Sequence, residues 1–255
     1  MWGLPIVASA HGHEIDTLIL LLHILALVLF VGWGIFFIVV MVRFRKSVNP
    51  KANYHGVQGH VSSVIEWAVV VAEVVLLFGF SVPFWAKQVN ALPNRPDKLE
   101  LRVIAEQFAW NIHYPGKDGI FGKTAPKLVD QQNNPIGLDM TDPNAKDDVV
   151  TLNQLHIPVG RTVLIHLTSK DVIHCFGINV MRVKQDTIPG LSIPVWFTPT
   201  KTGKFDINCA QLCGIGHYKM RGFLTVHSSE DFDKWMSEQA TMGGDSEDSG
   251  DSFWN

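Results

Sequence analysis

Near the C-terminal end of this 255-residue chain stand Cys209, Cys213, His217 and Met220, at intervals of four, four and three. Two thiols, an imidazole and a thioether so close together form a soft donor set that suits copper. Two cysteines four apart could instead form a disulfide or half of a zinc site. Zinc seldom takes Met, however, and a disulfide has no use for a neighbouring His and Met. With Cys175 the chain has three cysteines, too few for a disulfide scaffold and enough for one metal site.

A copper set of this kind needs a second imidazole, and His113, His156, His166, His174 and His227 are the candidates outside the motif. His174 is preferred because it follows Asp171-Val172-Ile173 at a loop-to-strand junction, where a side chain can be held rigidly without filling the core. His166 sits in the alternating run Val163-Leu164-Ile165-His166-Leu167 and reads as a sheet residue. Cys175 adjoins His174, so strand alternation points it to the opposite face as a buried bystander. Two cysteines, two histidines and a methionine exceed a mononuclear blue-copper site, which uses one Cys, two His and a weak axial ligand. Two thiolates can instead each bridge two coppers, sharing one electron between the metals. Such a centre moves electrons and does no bond chemistry.

The elements that must position these ligands begin in a membrane. With 47% apolar residues and a mean hydropathy of +0.14, part of the chain belongs there. Residues 18–42 contain no Asp, Glu, Lys or Arg, and about twenty apolar residues cross a bilayer as helix. His23 within this run is expected to pack against a partner helix, and Gly32 and Gly34 beside Trp33 would admit a close backbone neighbour. Residues 43–63 are basic and contain no acid, which places this loop on the cytoplasmic side. A second apolar run, residues 64–86, completes a hairpin spanning residues 17–89, with residues 1–16 and the rest of the chain outside. Glu66 and Glu73 interrupt that run. A carboxylate in the span is costly, so each is a candidate for a proton path or a face toward a partner subunit; the alternative is a protonated Glu bonded between helices. His11 and His13 read as solvated terminal residues rather than a metal pair. The net charge of −3 gives no basic surface for nucleic acid.

Residues 90–98 form a polar, Pro-containing linker. Residues 99–227 read as all-β, with apolar alternation over 99–114, 162–168, 173–181 and 205–209 and a last strand at 222–226. The Gly-, Pro-, Asp- and Asn-rich stretch 115–148 reads as loop with at most one short hairpin. Several short strands in so few residues suit a Greek-key sandwich or barrel. Residues 228–255 close the chain with a short helix, Ser229 near its cap, and an acidic disordered tail.

Taken together, residues 17–227 resemble subunit II of the haem–copper cytochrome c oxidases, bacterial type, in which a two-helix transmembrane hairpin precedes a cupredoxin-like domain carrying the binuclear CuA centre. The matching pieces are Asp171-Val172-Ile173-His174, Val183-Lys184-Gln185-Asp186-Thr187-Ile188-Pro189-Gly190, the Gly203 turn, and the segment from Cys209 to Met220. The resemblance implies that Cys209 and Cys213 bridge two coppers, that one copper takes His174 and Met220, and that the other takes His217 and the main-chain carbonyl of Gln211. It implies an oxidase subunit I and a subunit III as partners, a cytochrome c or similar donor, surrounding lipid, and a bacterial plasma membrane with the CuA domain and both termini on the periplasmic side. The implied activity is acceptance of electrons from the donor and their delivery to haem in subunit I, where oxygen is reduced and protons are pumped.

This chain departs from the family pattern at several positions. Many members carry Glu where Gln211 stands, and that carboxylate helps hold magnesium at the subunit I boundary; the neutral amide weakens the inference of magnesium. Phe108, in Glu106-Gln107-Phe108-Ala109-Trp110, occupies the position of the Trp that receives electrons in many members, and Trp110 reads as core. Leu191 replaces an Arg that follows Pro-Gly and contacts haem propionates. Glu66 is the nearest match to the acid of the family's K proton pathway, with Glu73 its rival. No Cys-x-x-Cys-His occurs, so the donor is expected to be a separate protein. The CuA subunit of a membrane nitric-oxide reductase is a close alternative. From a different class, a membrane-tethered copper carrier is disfavoured, because carriers use exposed sites with few ligands.

Overall fold

The computed structural model describes residues 3–51, 54–56, 58–90 and 92–242. They form two compact units, one made of residues 14–91 and the other of Leu4–His13 with residue 92 onward.

The first unit is helical. Helix α1 (Gly12–Arg43) and the helical stretch Val61–Asn90 are both long and apolar enough to cross a membrane, and both extend beyond the spans read from apolar residues alone. Within the second stretch, α2 (Val61–Leu76) passes through a π turn at Leu77–Ser81 into α3 (Val82–Asn90). There the Val82 N–H bonds five residues back to the Leu77 carbonyl. The widened turn lies just before Pro83, whose ring lacks an N–H and crowds the preceding turn of a regular α-helix. Lys87 on α3 pairs with Glu14 on α1 at 2.7 Å. His23 Nδ1 lies 2.7 Å from the Ile19 carbonyl within α1. Glu66 and Glu73 are exposed on α2 and, seven residues apart, share one helical face.

The second unit is a sandwich of two five-stranded sheets. One has the order β3-β2-β1-β5-β8 and the other β4-β10-β9-β6-β7. The strands are β1 (Leu99–Glu106), β2 (Ala109–Tyr114), β3 (Val149–Leu152), β4 (Gln154–Pro158), β5 (Val163–Ser169), β6 (His174–Ile178), β7 (Val183–Thr187), β8 (Ile193–Phe197), β9 (Gly203–Cys209) and β10 (Arg221–His227). Alternation drives the packing: Leu101, Val103 and Ala105 of β1 point inward with Ile165, Leu167, Phe176, Ile178, Ile207 and Leu224, all fully buried. Strands β1 and β5 run parallel, as do β4 and β10, while the other pairs are antiparallel. This is the Greek-key, cupredoxin-like architecture the sequence led us to expect.

Several strands differ from the sequence reading. The apolar stretch 99–114 is a hairpin rather than one strand, broken at Gln107-Phe108. Strand β6 stops at Ile178, because Asn179–Met181 turns as a 3-10 helix and Arg182 takes a left-handed conformation. Residues 115–148 are loop with two short 3-10 turns and isolated bridges at Thr124–Leu138 and Asp130–Asn134. They carry a small cluster of their own, Ile136, Leu138 and Ala145.

The N-terminal segment belongs to this unit. Ala8 and Ala10 donate backbone hydrogen bonds to Val180 and Thr198 (2.8 and 2.9 Å), and Ser9 Oγ donates to the Met181 carbonyl at 2.7 Å. His11 is buried there, so only His13 of the expected solvated pair is exposed. Helix α4 (Ser229–Met242) begins one residue after its cap. Ser228, not Ser229, holds that position: its Oγ accepts from Asp231 N (3.1 Å) and donates to Asp231 Oδ2 (2.7 Å). The acidic tail from residue 243 lies outside the described residues.

Candidate metal centre

Two strands and one loop bring the candidate ligands together. Strand β6 opens on His174 and β9 ends on Cys209, and the two strands pair with Phe176 opposite Cys209. Ala210 N donates to the Cys175 carbonyl at 2.9 Å, so β6 anchors the start of the loop. The loop then folds back in a 3-10 turn, His217–Lys219. Here the Met220 N–H reaches the His217 carbonyl (3.1 Å) and the Cys209 N–H reaches the Met220 carbonyl (3.4 Å). A loop closed on itself in this way buries Cys213 and Met220 while Leu212, Ile215 and Tyr218 stay exposed.

The sulfurs of Cys209 and Cys213 are 3.8 Å apart. Cys213 Sγ lies 3.5 Å from His217 Nδ1 and 3.8 Å from Met220 Sδ. Met220 Sδ in turn is 3.2 Å from His174 Nδ1, and Cys209 Sγ is 3.2 Å from the carbonyl oxygen of Gln211. The structure thus gathers all six atoms expected as ligands. Among the described residues, His174, Cys209 and Cys213 form the one buried cluster of His, Cys, Asp or Glu with metal-ligand spacing.

The donor chemistry fits a soft metal. All three cysteines are free thiols. His174 Nε2 bonds Asp171 Oδ1 at 2.9 Å, which leaves Nδ1 turned toward the sulfurs. Asp171 itself is held below the usual carboxylate range: burial alone would raise it, but hydrogen bonds from His174, Gln107 N and Val172 N outweigh that. Burial likewise pushes the thiols up, yet at Cys209 it is outweighed by the hydrogen bond with His174 and by backbone N–H groups, which bring it down to about 6. At Cys213 burial combines with the charge of Cys209 to raise the thiol to about 11. As a pair, the two sulfurs lose one proton readily and hold the other, the state in which a thiolate is ready to meet a metal ion. Cys175, buried across the strand, is pushed up to about 12 by burial and by Asp186. It remains outside the cluster.

The structure also brings in two residues that spacing did not single out. Asp171 was part of the motif preceding His174, but its bond to the imidazole was not foreseen. Gln107 donates through Nε2 to the Cys213 carbonyl at 2.6 Å. Of the histidines passed over, His166 is tied to Glu100 and His113 to Asp148 (both 2.7 Å), and His156 bonds His227. Trp110 is fully buried, as expected, and packs edge-on to both His174 and Phe176.

Residues 99–226 match the family model described as cytochrome c oxidase subunit II, periplasmic domain. The alternative cytochrome c oxidase subunit 2 of Bradyrhizobium diazoefficiens is 32% identical over 249 residues, covering 95% of this chain and 86% of that protein. The cytochrome c oxidase subunit 2 of Thermostichus vulcanus is 26% identical over 262 residues, covering 94% and 79%. A crystal structure of the periplasmic domain of subunit II of cytochrome oxidase from Bradyrhizobium japonicum aligns with 58% of this chain and 97% of its own, at 27% identity and a TM-score of 0.43.

Proposed function

The chain belongs to the cytochrome c oxidase subunit II family, and on that premise we propose that it takes electrons from a cytochrome c-like donor and passes them through a CuA centre to haem in subunit I. Family membership, with two helices able to span a membrane, makes it a membrane protein with a periplasmic domain and a subunit of a haem–copper oxidoreductase. The observation that supports the finer reading is the pair of sulfurs 3.8 Å apart, with the Gln211 carbonyl 3.2 Å from Cys209 Sγ, His217 Nδ1 and Met220 Sδ 3.5 and 3.8 Å from Cys213 Sγ, and His174 Nδ1 3.2 Å from Met220 Sδ. The relatives named above are oxidase subunits, so the nitric-oxide reductase alternative is not taken further.

In this proposal Cys209 and Cys213 would supply the thiolates shared by the coppers, with His174, Met220, His217 and the Gln211 carbonyl as the remaining ligands. When bound, the copper centre would supply one-electron exchange with little reorganisation. The protein's own contribution is rigidity: the backbone bonds that close residues 209–220, and Asp171 behind His174, fix the donors before any metal arrives. Burial of Cys209, Cys213, Met220 and His174 keeps water from these four ligand residues.

Purified with its partner subunits, the chain is expected to hold two coppers and to give a seven-line mixed-valence EPR signal. A chain that binds one Cu(I) reversibly and gives no such signal would sink the proposal. The membrane part of the reading concerns Glu66 and Glu73. Both lie on one exposed face of α2, and we propose that this face meets subunit I and that one of them admits protons. Glu66→Gln and Glu73→Gln, compared for oxygen consumption by the complex, should separate them: the path residue loses most turnover, its neighbour little. Full turnover in both variants would remove these acids from the proton path.

A further inference from the structure

We infer that Gln107 is a positioning residue of the metal centre, and that with Asp171 it locks the His174 strand end to the Cys213 loop through the β1–β2 turn. The inference deepens the copper reading and rests on it for the metal, while the contacts that support it belong to the chain alone.

A continuous chain of hydrogen bonds joins three segments far apart in sequence. Asp171 Oδ1 accepts from His174 Nε2 (2.9 Å) and from Val172 N (2.6 Å). Its other oxygen, Oδ2, accepts from the Gln107 backbone N–H at 2.7 Å. The side-chain amide of the same Gln107 then donates to the Cys213 carbonyl at 2.6 Å. One residue, through its backbone on one side and its amide on the other, therefore holds the imidazole of one ligand and the main chain of another in a single frame.

Packing closes the same frame. A Cβ on Gly216 would fall 2.4 Å from the Phe108 ring, and one on Gly214 would fall 2.6 Å from Gln107 Nε2. Gly214 also has φ +134°, which side-chain-bearing residues rarely adopt. The metal loop is thus bare where Gln107 and Phe108 press on it, and the fit works only with glycine at both places. Gln107 offers no ligand atom to the centre, since its amide nitrogen faces a carbonyl. Its action is through Cys213: the bond fixes the peptide that carries this thiolate relative to His174, and so the geometry in which the two ligands meet a metal. The amide is the group the geometry requires, because a carboxylate there would face the Cys213 carbonyl without a proton to donate.

Two variants test this in the complete oxidase complex: Gln107→Leu, which removes the donor, and Gln107→Glu, which keeps the shape. Gln107 is exposed, so neither substitution disturbs the core, and the Glu variant decides should the Leu variant fail to assemble. The first readout is the metal-free protein, labelled with a maleimide and read site by site. Loss of one hydrogen bond should speed labelling of Cys213 by about five- to tenfold through easier local opening. Cys175, equally buried but outside the frame, is the internal control and should be unchanged. The second readout is the copper hyperfine pattern and reduction potential of the loaded complex, which should shift in both variants with copper content retained. Equal acceleration at Cys175 and Cys213 would mean general loosening and would overturn the inference, as would wild-type labelling together with a wild-type copper spectrum. If the wild-type complex itself shows no paired-copper signal, the copper reading falls and the labelling ratio still decides the role of Gln107.

Discussion

Strand β10 leaves the metal loop at Arg221 and ends at His227, and a pair of histidines lies near each end of it. Near its start, His174 and His217 both turn Nδ1 toward sulfur. Near its finish, His156 Nδ1 and His227 Nε2 turn toward each other at 2.7 Å, and Trp235 of α4 lies flat on the His156 ring at 4.2 Å. The two pairs are alike in composition and opposite in use. At the metal site a carboxylate holds the far nitrogen of His174, so the near one is left to meet a soft acid. In the distal pair the imidazoles bond each other and an indole covers them, which makes them an adhesive surface for α4. What decides whether a histidine can ligate is therefore where its second nitrogen is engaged, and a count of histidines says little about it.

The largest effect expected on this contrast comes from Cys213→Ser. Removing one of two bridging thiolates should abolish the seven-line EPR signal, whereas His156→Phe at the distal pair should leave it intact. Retention of the signal in the serine variant would refute the bridging role, and its loss in His156→Phe would show that the two pairs are not independent.

Next in size is Trp235→Ala. The indole stacks on His156 and lies 5.2 Å from the Tyr114 ring and 5.9 Å from Phe232, so truncation should cost about 2–3 kcal/mol of α4 docking. Hydrogen exchange at residues 229–242 should rise while the copper spectrum stays unchanged. Unaltered protection would mean that α4 is held by other contacts.

Acid should act on the distal pair in the same direction. Burial, followed by the charges of His227 and Lys204, lowers His156 to about 4; His227 is lowered too, by burial first, with Asp231 opposing. A histidine whose folded value lies below its free value of about 6.5 is more easily protonated when unfolded. Its neutral form thus supports the fold fully above about pH 6.5, and that support is lost as pH falls from about 6.5 toward 4. Exchange protection of α4 should decline over this window in the wild type and stay flatter in His156→Phe. Parallel profiles would place the acid sensitivity elsewhere.

How much of this was legible in the sequence follows from how local each signal is. The absence of charge across residues 18–42 is a local property, and a helix lies there. The spacing from Cys209 to Met220 is equally local, and the named side chains do converge. Strand β7, Val-Lys-Gln-Asp-Thr, lies at the edge of its sheet and has too few apolar residues to alternate visibly. Pro194 hides β8, which is also an edge strand, where a missing N–H is tolerated. Strands β3 and β4 are short and separated only by Asn153 at φ 57°. The N-terminal segment that carries His11 is held by backbone bonds to residues 172 to 192 positions away, beyond any pattern in its neighbourhood. Gln107 was invisible for the same reason: its partners are Asp171 and Cys213, and only the folded sandwich brings them together.

The smallest effect concerns the start of α4, and it sharpens the contrast by separating docking from helix formation. Ser228 both accepts from the Asp231 N–H and donates to the Asp231 carboxylate, satisfying one of the N–H groups that a helix leaves unpaired in its first turn. Ser228→Ala should cost about 1 kcal/mol, seen as increased exchange in the first turn of α4 alone. The Trp235 stack lies further along the helix, so its protection should hold. A loss as large as that of Trp235→Ala, spread along the whole helix, would mean that the cap and the stack form one cooperative unit rather than two contacts that add.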